Sequence, residues 1–244
     1  TPLHLIRRCL VWETPTRKNV KKIILVSPTL EKDFSLFSKN KVKVIENGIE
    51  LPKKREYTES KGVIKLLCTG RADKQKGFQK AIMALSQIDD LDLQLGIVGT
   101  GSYLDELKIL AKKLDVEKKV IFYGRVSDED LSKIYSEADI YLIPTMRYEG
   151  LPLALLEAMA HGIPTISSKI GGNSDVITHG KDGLFIKPGN LEELISAIKE
   201  LGNNPEMRKR ISIAARETTE KRFDKNRMVK ETLEILETVN GEND

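Results

Sequence analysis

The sequence predicts an α/β protein whose core is a doubly wound parallel sheet. From Ile64 onward, short apolar segments are continuous rather than alternating, which is typical of strands buried on both faces of a sheet. Segments with the period and length of amphipathic helices separate them. Strands that alternate with helices in this way indicate a parallel sheet covered by helices on both sides.

The predicted elements follow one another without an internal repeat. Strands are expected over residues 64–70, 93–101, 120–124, 139–144, 164–169 and 183–189. Helices are expected over residues 76–88, 102–116, 127–138, 151–162 and 190–201, with a turn or short helix at 174–177 and two helices at the C-terminal end. Ser127 and Asn190 are expected N-caps, because their side chains can accept from the free N–H groups of a first turn.

The part of the chain before this unit differs from it in pattern. A strand over residues 23–27, a helix that begins near Ser27–Pro28 and a strand over 41–49 with an Asn-Gly turn are expected. The polar segment 51–62 has no period and contains a proline, which favours a linker. We therefore expect the end of one domain over residues 1–52, a linker over 53–62 and a second domain over 63–244.

The composition excludes several classes of protein. With 40% hydrophobic and 31% charged residues, it is typical of a soluble globular protein, and 5% aromatic residues are too few for a broad single-strand stacking surface. No apolar run reaches the ~20 residues of a membrane span, and no signal peptide is recognisable. Two cysteines cannot form a disulfide framework, so a cytoplasmic location is expected.

The positive charge is concentrated at the start of the chain. Residues 1–60 contain 13 Lys and Arg against 7 Asp and Glu. The favoured interpretation is solvated loops and helix faces; the alternative is peripheral contact with an anionic membrane or an acidic acceptor. No nucleic-acid-binding motif accompanies these charges.

Candidate site residues lie just after the predicted strands, because ligands of such sheets bind beyond the carboxyl ends of the strands. In GRADKQKG, Arg71 and Lys76 follow one strand and precede a helix. Two cations beside a helix N-terminus suit an anionic ligand such as a phosphate. The alternative is that both are ordinary surface cations.

At two further strand ends, the candidate contacts with a ligand are made by backbone groups rather than by charged side chains. GTGSYL has Leu104 where a dinucleotide fingerprint needs a third glycine, and the next strand ends without a carboxylate for a ribose, which disfavours a nicotinamide enzyme. Gly99 there marks a tight turn or a close approach to a ligand. The backbone near Arg125 and Val126 could contact the edge of a base.

The stretch EGLPLALLEAMAHG places two glutamates around an apolar helix. Glu149 precedes the helix, whose start near Leu151–Pro152 leaves the N–H groups of Gly150 and Leu151 free for an anion or a hydroxyl. Glu157 lies within the apolar run, and a carboxylate there could accept from neighbouring sugar hydroxyls. The alternatives are a capping Glu149 and a Glu157 paired with a core Arg or Lys.

Other candidate motifs are weaker. The glycine pair Gly171–Gly172 could form a loop of positive φ or a phosphate cradle. His4, His161 and His179 show neither metal-ligand spacing nor a triad order, so no metal site is expected and all three are interpreted as structural or surface residues.

Taken together, these motifs resemble the C-terminal, donor-binding domain of GT-B fold glycosyltransferases of family 4. The matching stretches are VSPTLEKDF, VIENGI, GRADKQKG, GIVGTGSYLDEL, VIFYGRV, EGLPLALLEAMAHGIPTI, GGNSDVI and GLFIKPGNLEEL. The resemblance implies a Rossmann-like domain that binds a nucleotide-sugar, and a retaining hexosyltransferase that uses UDP or GDP sugars without a catalytic metal in glycan biosynthesis. The acceptor would be a glycan, a lipid or another hydroxyl compound.

The resemblance also implies a role for each candidate residue. Arg71 and Lys76 should hold the diphosphate, Glu149 the donor-sugar hydroxyls and Glu157 the ribose hydroxyls. The start of the helix should contact the sugar and the diphosphate. Gly99 should lie close to the ligand through its backbone, and the backbone near Arg125 and Val126 should contact the base. The residues assigned to this helix start are Gly150, Leu151, Pro152 and Leu153.

The sequence departs from the family pattern in two respects. Ser174 and Asp175 stand where the family often has Pro and Glu, and the loop is expected to keep its shape. Residues 1–52 resemble only the end of the acceptor domain, so a missing N-terminal domain or a partner chain would complete the protein. An epimerase-like GT-B protein and a non-catalytic nucleotide-sugar-binding module are the alternatives.

Overall fold

A six-stranded parallel sheet forms the core of the protein. The computed structural model describes residues 20–34, 41–53, 57 and 62–241. The strands in this part of the chain are β1 (Ile23–Leu25), β2 (Val42–Val44), β3 (Ile64–Thr69), β4 (Leu93–Val98), β5 (Val120–Gly124), β6 (Ile140–Ile143), β7 (Thr165–Ser168) and β8 (Leu184–Ile186). β1 and β2 pair with each other, and the large sheet has the order β5-β4-β3-β6-β7-β8.

Helices cover this sheet on both faces. They are α1 (Phe78–Leu85), α2 (Leu104–Lys113), α3 (Asp128–Glu137), α4 (Leu153–Ala160), α5 (Asn173–Val176), α6 (Leu191–Asn203), α7 (Pro205–Arg222) and α8 (Lys225–Gly241), with 3-10 helices at Pro28–Phe34, Lys74–Lys76 and Glu117–Lys119. In the described part of the chain, no helix is both long and apolar enough to cross a bilayer.

The two-sided core explains why the strands are continuously apolar. Leu66 packs with α1, α2 and α6 residues on one face of the sheet, and the next residue, Leu67, packs with α3 and α4 residues on the other. Successive side chains of a strand point to opposite faces, so both need an apolar partner. The predicted α/β fold with a doubly wound parallel sheet is therefore confirmed.

The strand order creates a crevice between β3 and β6. The chain proceeds outward from β3 through β4 to β5, returns to place β6 against β3, and continues outward through β7 to β8. Leu66 pairs with Ile140 and Leu67 with Tyr141, all in parallel register. The loops after β3 and β6 therefore leave from one edge toward opposite sides, which is the topological switch point of the sheet.

The predicted boundaries need corrections at several elements. The strand predicted over residues 41–49 ends at Val44, because the backbone then changes partners. Ile49 accepts from the Lys225 N–H at 2.9 Å and donates to the Phe223 carbonyl at 2.8 Å, beside the end of α7. Six of the other predicted strands also end one to three residues early, where the chain turns into strand-end loops, whereas β5 ends at Gly124 as predicted.

The predicted N-caps are confirmed, but the predicted start of α4 was wrong. Ser127 and Asn190 each accept from the backbone N–H three residues later. Pro152 has an extended conformation, with ψ of 121°, and serves as the N-cap of α4 rather than lying within its first turn. Glu149 and Gly150 thus belong to a longer loop between β6 and α4.

Glycines allow the strand-end loops to touch one another through their backbones. Gly77, between the 3-10 helix and α1, has φ of +78°, and a Cβ there would lie 1.9 Å from the Pro144 carbonyl oxygen. Gly172 brings its Cα close to the Gly150 carbonyl, where a Cβ would lie 1.5 Å from the oxygen. The loops after β3, β6 and β7 are thereby packed into one block.

The carboxylate of Asp175 attaches the segment of residues 20–34 to the main domain. It accepts from the Thr29 N–H at 3.0 Å and the Thr29 hydroxyl at 2.6 Å, and the buried Ser27 hydroxyl also donates to it. Arg222 connects the residues after β2 to the same loop, because it donates to Glu46 at 2.7 Å and to the Asp175 carbonyl at 3.0 Å. Most of the predicted linker, residues 54–56 and 58–61, lies outside the described residues, and the proposed domain boundaries stay predictions.

Gly77→Ala is expected to destabilise the protein more than Gly180→Ala, by about 2 kcal/mol in the free energy of unfolding. Gly180 is the matched control: its φ is +76°, but a Cβ there would meet nothing within 4 Å. Both variants carry the left-handed strain of about 1–2 kcal/mol, so their difference isolates the clash with Pro144. Urea unfolding measures both, and equal losses would contradict the packing described.

Asp175→Ala is expected to lower the free energy of unfolding by about 2–3 kcal/mol, because three donors lose a charged acceptor. Asp105→Ala is the control, since its carboxylate is 87% exposed and contacts Lys108 at 3.3 Å. A change below about 1 kcal/mol is expected there. Urea unfolding of the two variants decides the matter; equal effects would show that Asp175 does not hold the segment.

Candidate functional site

The candidate site lies at the crevice between β3 and β6. Arg71 comes two residues after β3, and Glu149 lies in the loop after β6. Gly99, at the end of β4, has φ of +126°, and a Cβ there would lie 1.9 Å from the Gly70 carbonyl oxygen. The loops beyond β3 and β4 therefore meet directly, and Gly99 has a packing requirement whether or not a ligand approaches it.

Lys76 and Glu149 form an ion pair across the crevice. Lys76 Nζ lies 2.5 Å from Glu149 Oε1, and the side chains are only 23% and 18% exposed. Gly77 packs on Pro144 and thereby fixes the backbone beside Lys76. The packing of the two loops therefore brings the side chains of Lys76 and Glu149 together. The sequence predicted separate roles for these residues and did not predict this contact.

Arg71 is held less tightly than Lys76. Its Nε lies 3.5 Å from Asp73 Oδ2, and its side chain is 67% exposed. Asp73 also caps the 3-10 helix, accepting at Oδ1 from the N–H groups of Gln75 at 2.9 Å and Lys76 at 3.0 Å. One carboxylate thus orients the loop that carries both cations, while the Arg71 guanidinium remains available to an anion in solution.

The loop before α4 presents backbone donors. Within the described residues, the N–H groups of Gly150 and Leu151 donate to no protein acceptor. The Leu151 side chain is 5% exposed and packs with Leu155, so only its backbone can serve a ligand. The Leu153 side chain, 49% exposed, is the first of the helix to face outward. The two free N–H groups of this loop can donate to an anion or a hydroxyl.

Glu157 is held by a phenol rather than by the Arg or Lys weighed as its partner. The Tyr135 hydroxyl, from α3, donates to Glu157 Oε2 at 3.0 Å. Thr69 Oγ1, at the end of β3, lies 3.0 Å from the Tyr135 hydroxyl and 2.6 Å from that of Tyr141. Glu157 is thereby placed at the edge of the sheet where the loop to Arg71 begins.

The phenols of this network stay protonated. Burial raises the pKa of Tyr135 far above its usual range, and the charge of Glu157 adds to the effect. Burial likewise raises the pKa of Tyr141, which is fully enclosed in the core. Both groups remain neutral hydrogen-bond donors over the whole accessible pH range.

Glu157 also lines an open groove of about 500 Å³. Its wall includes four carboxylates, contributed by Glu50, Asp128, Glu129 and Glu157. Such a surface suits neutral hydroxyl or N–H groups better than phosphates, which the cations at Arg71 and Lys76 attract. Between β5 and α3, Arg125 is exposed, and Val126 is half-buried and packs on the cluster that contains Tyr135.

The histidines have structural surroundings. His161 stacks on the Tyr135 ring, with 5.1 Å between ring centroids. His179 accepts at Nδ1 from the Phe185 N–H at 2.9 Å. His4 lies outside the described residues. In the part of the chain that the structure describes, no three His, Cys, Asp or Glu side chains are grouped as metal ligands.

Sequence reasoning missed the residues that position the candidate side chains. Thr69, Tyr135, Tyr141 and Asp73 were not singled out, and only Thr69 left a signal, as a polar residue at the end of an apolar strand. A tyrosine on a helix and another in a strand look like ordinary core residues. Their hydroxyls acquire a role only because α3, β3, β6 and α4 come together.

Comparison with known proteins identifies the family. The family model described as "Glycosyl transferases group 1" matches residues 50–218. An uncharacterized glycosyltransferase of Methanocaldococcus jannaschii is 31% identical over 231 residues, covering 88% of this chain and 59% of its own length. Glycogen synthase of Mycobacterium tuberculosis is 30% identical over 190 residues, or 75% of this chain and 45% of that protein. The chain thus spans about half the length of these relatives.

Solved structures agree on the fold. Anabaena HepE in complex with UDP-glucose matches with a TM-score of 0.86 and 22% identity, over 98% of this chain and 70% of that one. Sucrose-phosphate synthase of Thermosynechococcus elongatus matches with a TM-score of 0.84 and 22% identity, over 97% and 61%. The Rossmann-like sheet, the strand-end motifs and the family model lead to one conclusion: the chain belongs to the glycosyl transferases group 1 family and has a Rossmann-like fold found in GT-B glycosyltransferases.

Proposed function

We propose that this chain binds the donor of a retaining hexosyltransferase, which moves a sugar from a nucleotide diphosphate to a hydroxyl acceptor without a catalytic metal. The observation that carries the proposal is the crevice between β3 and β6. It combines two cations, free N–H groups in the loop before α4 and two glutamates whose side chains are held by neighbouring groups. The complex of Anabaena HepE with UDP-glucose supports a UDP-sugar as the donor class.

The donor would lie along the edge of the sheet formed by the carboxyl ends of β3 and β6, with its negatively charged diphosphate beside the cations. Arg71 and Lys76 would bind the diphosphate, as would the N–H groups of Gly150 and Leu151. Glu157 would accept from the ribose hydroxyls. The neutral base would lie near Arg125 and Val126, along the groove that Asp128 also lines.

Cleavage of the donor leaves a nucleoside diphosphate, and the proposed roles follow from its charge. The bond from the anomeric carbon to the diphosphate oxygen breaks while the acceptor oxygen bonds to that carbon. The leaving oxygens gain negative charge, which preplaced cations and N–H groups stabilise. Lys76 is held within reach by Glu149, whose second oxygen can accept a donor-sugar hydroxyl. The cations could thus supply the charge that a divalent ion supplies elsewhere.

The rest of the enzyme would come from outside this chain. The chain spans 59% of the archaeal relative, and the acceptor domain of the family resemblance would occupy the remainder. On α8, Val229, Leu233 and Leu236 are 43%, 52% and 51% exposed, one apolar stripe that suits packing against such a domain. We further propose that the acceptor is a glycan or a lipid-linked compound. The enzyme would act in the cytoplasm, in peripheral contact with the membrane.

Nucleotide binding by this chain tests the proposal. In calorimetry, UDP or GDP is expected to bind, and Arg71→Ala and Lys76→Ala are each expected to weaken binding by about tenfold or more, the worth of a charge-assisted hydrogen bond. Lys74→Ala is the matched control, because Lys74 is an exposed cation of the same 3-10 helix. The control should bind like the wild type.

Two outcomes would contradict the proposal. The first is a wild-type chain that binds neither UDP nor GDP at millimolar concentration. The second is an equal loss of affinity in Lys74→Ala and Lys76→Ala, which would indicate diffuse attraction by surface charge instead of a built site.

A further inference from the structure

A hydrogen-bonded chain behind Glu157 has only one consistent direction. Tyr135 donates its single proton to Glu157 Oε2, so its oxygen must accept from Thr69 at 3.0 Å. The Thr69 proton is then used, so the 2.6 Å contact with Tyr141 must be a donation from the Tyr141 phenol. Every proton in the chain therefore points toward the carboxylate of Glu157.

The chain links four elements across the crevice. Tyr141 is on β6, Thr69 ends β3, Tyr135 is on α3 and Glu157 is on α4. The two tyrosines are 0% and 2% exposed, and the His161 ring stacks on that of Tyr135. Close packing fixes the rotamers of these rings, so the hydroxyl that reaches Glu157 is held in place before any ligand arrives.

The two oxygens of Glu157 therefore differ. Oε2 accepts from Tyr135, whereas no protein group among the described residues donates to Oε1. The same side chain lines the groove beside α3. A carboxylate with one oxygen fixed by a rigid donor presents the other in a set direction, as recognition of a sugar hydroxyl requires.

We infer that Tyr135 is a positioning residue for the donor nucleotide: with Thr69 and Tyr141 behind it, it fixes the Glu157 carboxylate so that Oε1 accepts from the ribose hydroxyls. The inference rests on the proposed function, since it needs a nucleotide in the crevice. It adds that ribose recognition depends on a residue of α3 and a residue of β3, not only on the glutamate of α4.

The test compares a nucleotide with and without its ribose hydroxyls. UDP and 2′,3′-dideoxy-UDP, or the guanine pair if GDP binds better, are titrated into the whole chain by calorimetry. The wild type is expected to prefer the ribose form by about tenfold. In Tyr135→Phe the ribose form should bind about fivefold more weakly while the dideoxy form is unchanged, so the preference shrinks to about twofold.

Two kinds of control separate positioning from a general structural effect. Tyr57→Phe removes another phenol, one that donates to the Pro205 carbonyl at 3.4 Å and makes no hydrogen bond to Glu157, and it should keep the full preference. Thr69→Val, which removes the hydroxyl at nearly constant volume, should reduce the preference, and Thr69→Ser should restore it. The Thr69 pair decides the matter if Tyr135→Phe does not fold.

The outcomes are distinct. Equal weakening of both nucleotides in Tyr135→Phe, or no change in either, would overturn the positioning role while leaving the donor site intact. A Thr69→Val variant that keeps the wild-type preference would do the same. Absence of any nucleotide binding by the wild type would overturn the proposed function itself, and the inference with it.

Discussion

The parallel pairing of β3 with β6 is the constraint on which the rest of the site depends. The two strands are neighbours in the sheet but far apart in the chain, because β4 and β5 lie between them in the sequence and on the other side of β3 in the sheet. Their carboxyl ends share one edge, yet their loops diverge. Lys76 lies on the β3 side and Glu149 on the β6 side, and the ion pair between them connects the two sides of the crevice.

Close backbone contact keeps these loops in register. At Gly77, Gly99 and Gly172 the neighbouring carbonyl lies within 2 Å of where a Cβ would be. No other residue type fits there without movement of the backbone, so the glycines are required by packing, independent of any ligand. A site assembled from several loops gains rigidity in this way, and preorganised groups lose little entropy when they bind.

The two glutamates around α4 are tolerated near the core for different reasons. Glu149 has a cation, and Glu157 has a neutral phenol that is kept protonated by its burial. A carboxylate paired with a cation is partly neutralised, whereas one that accepts from a phenol keeps its full charge and its free lone pairs. The arrangement thus separates a glutamate that organises a cation from one that remains available to hydroxyl groups.

The sequence by itself determined the α/β class, the six strands of the main sheet, the N-caps and the strand ends that carry Arg71, Lys76, Glu149 and Glu157. These features are local: they follow from periodicity, from capping chemistry and from the position of polar residues after apolar runs. The sequence did not reveal the start of α4 after Pro152, the early end of β2 or the contact of Asp175 with Ser27 and Thr29. Only the tertiary structure decided which side chains meet, because Lys76 and Glu149, 73 positions apart, and Thr69 and Tyr135, 66 apart, are joined by strand order and by the packing of four elements.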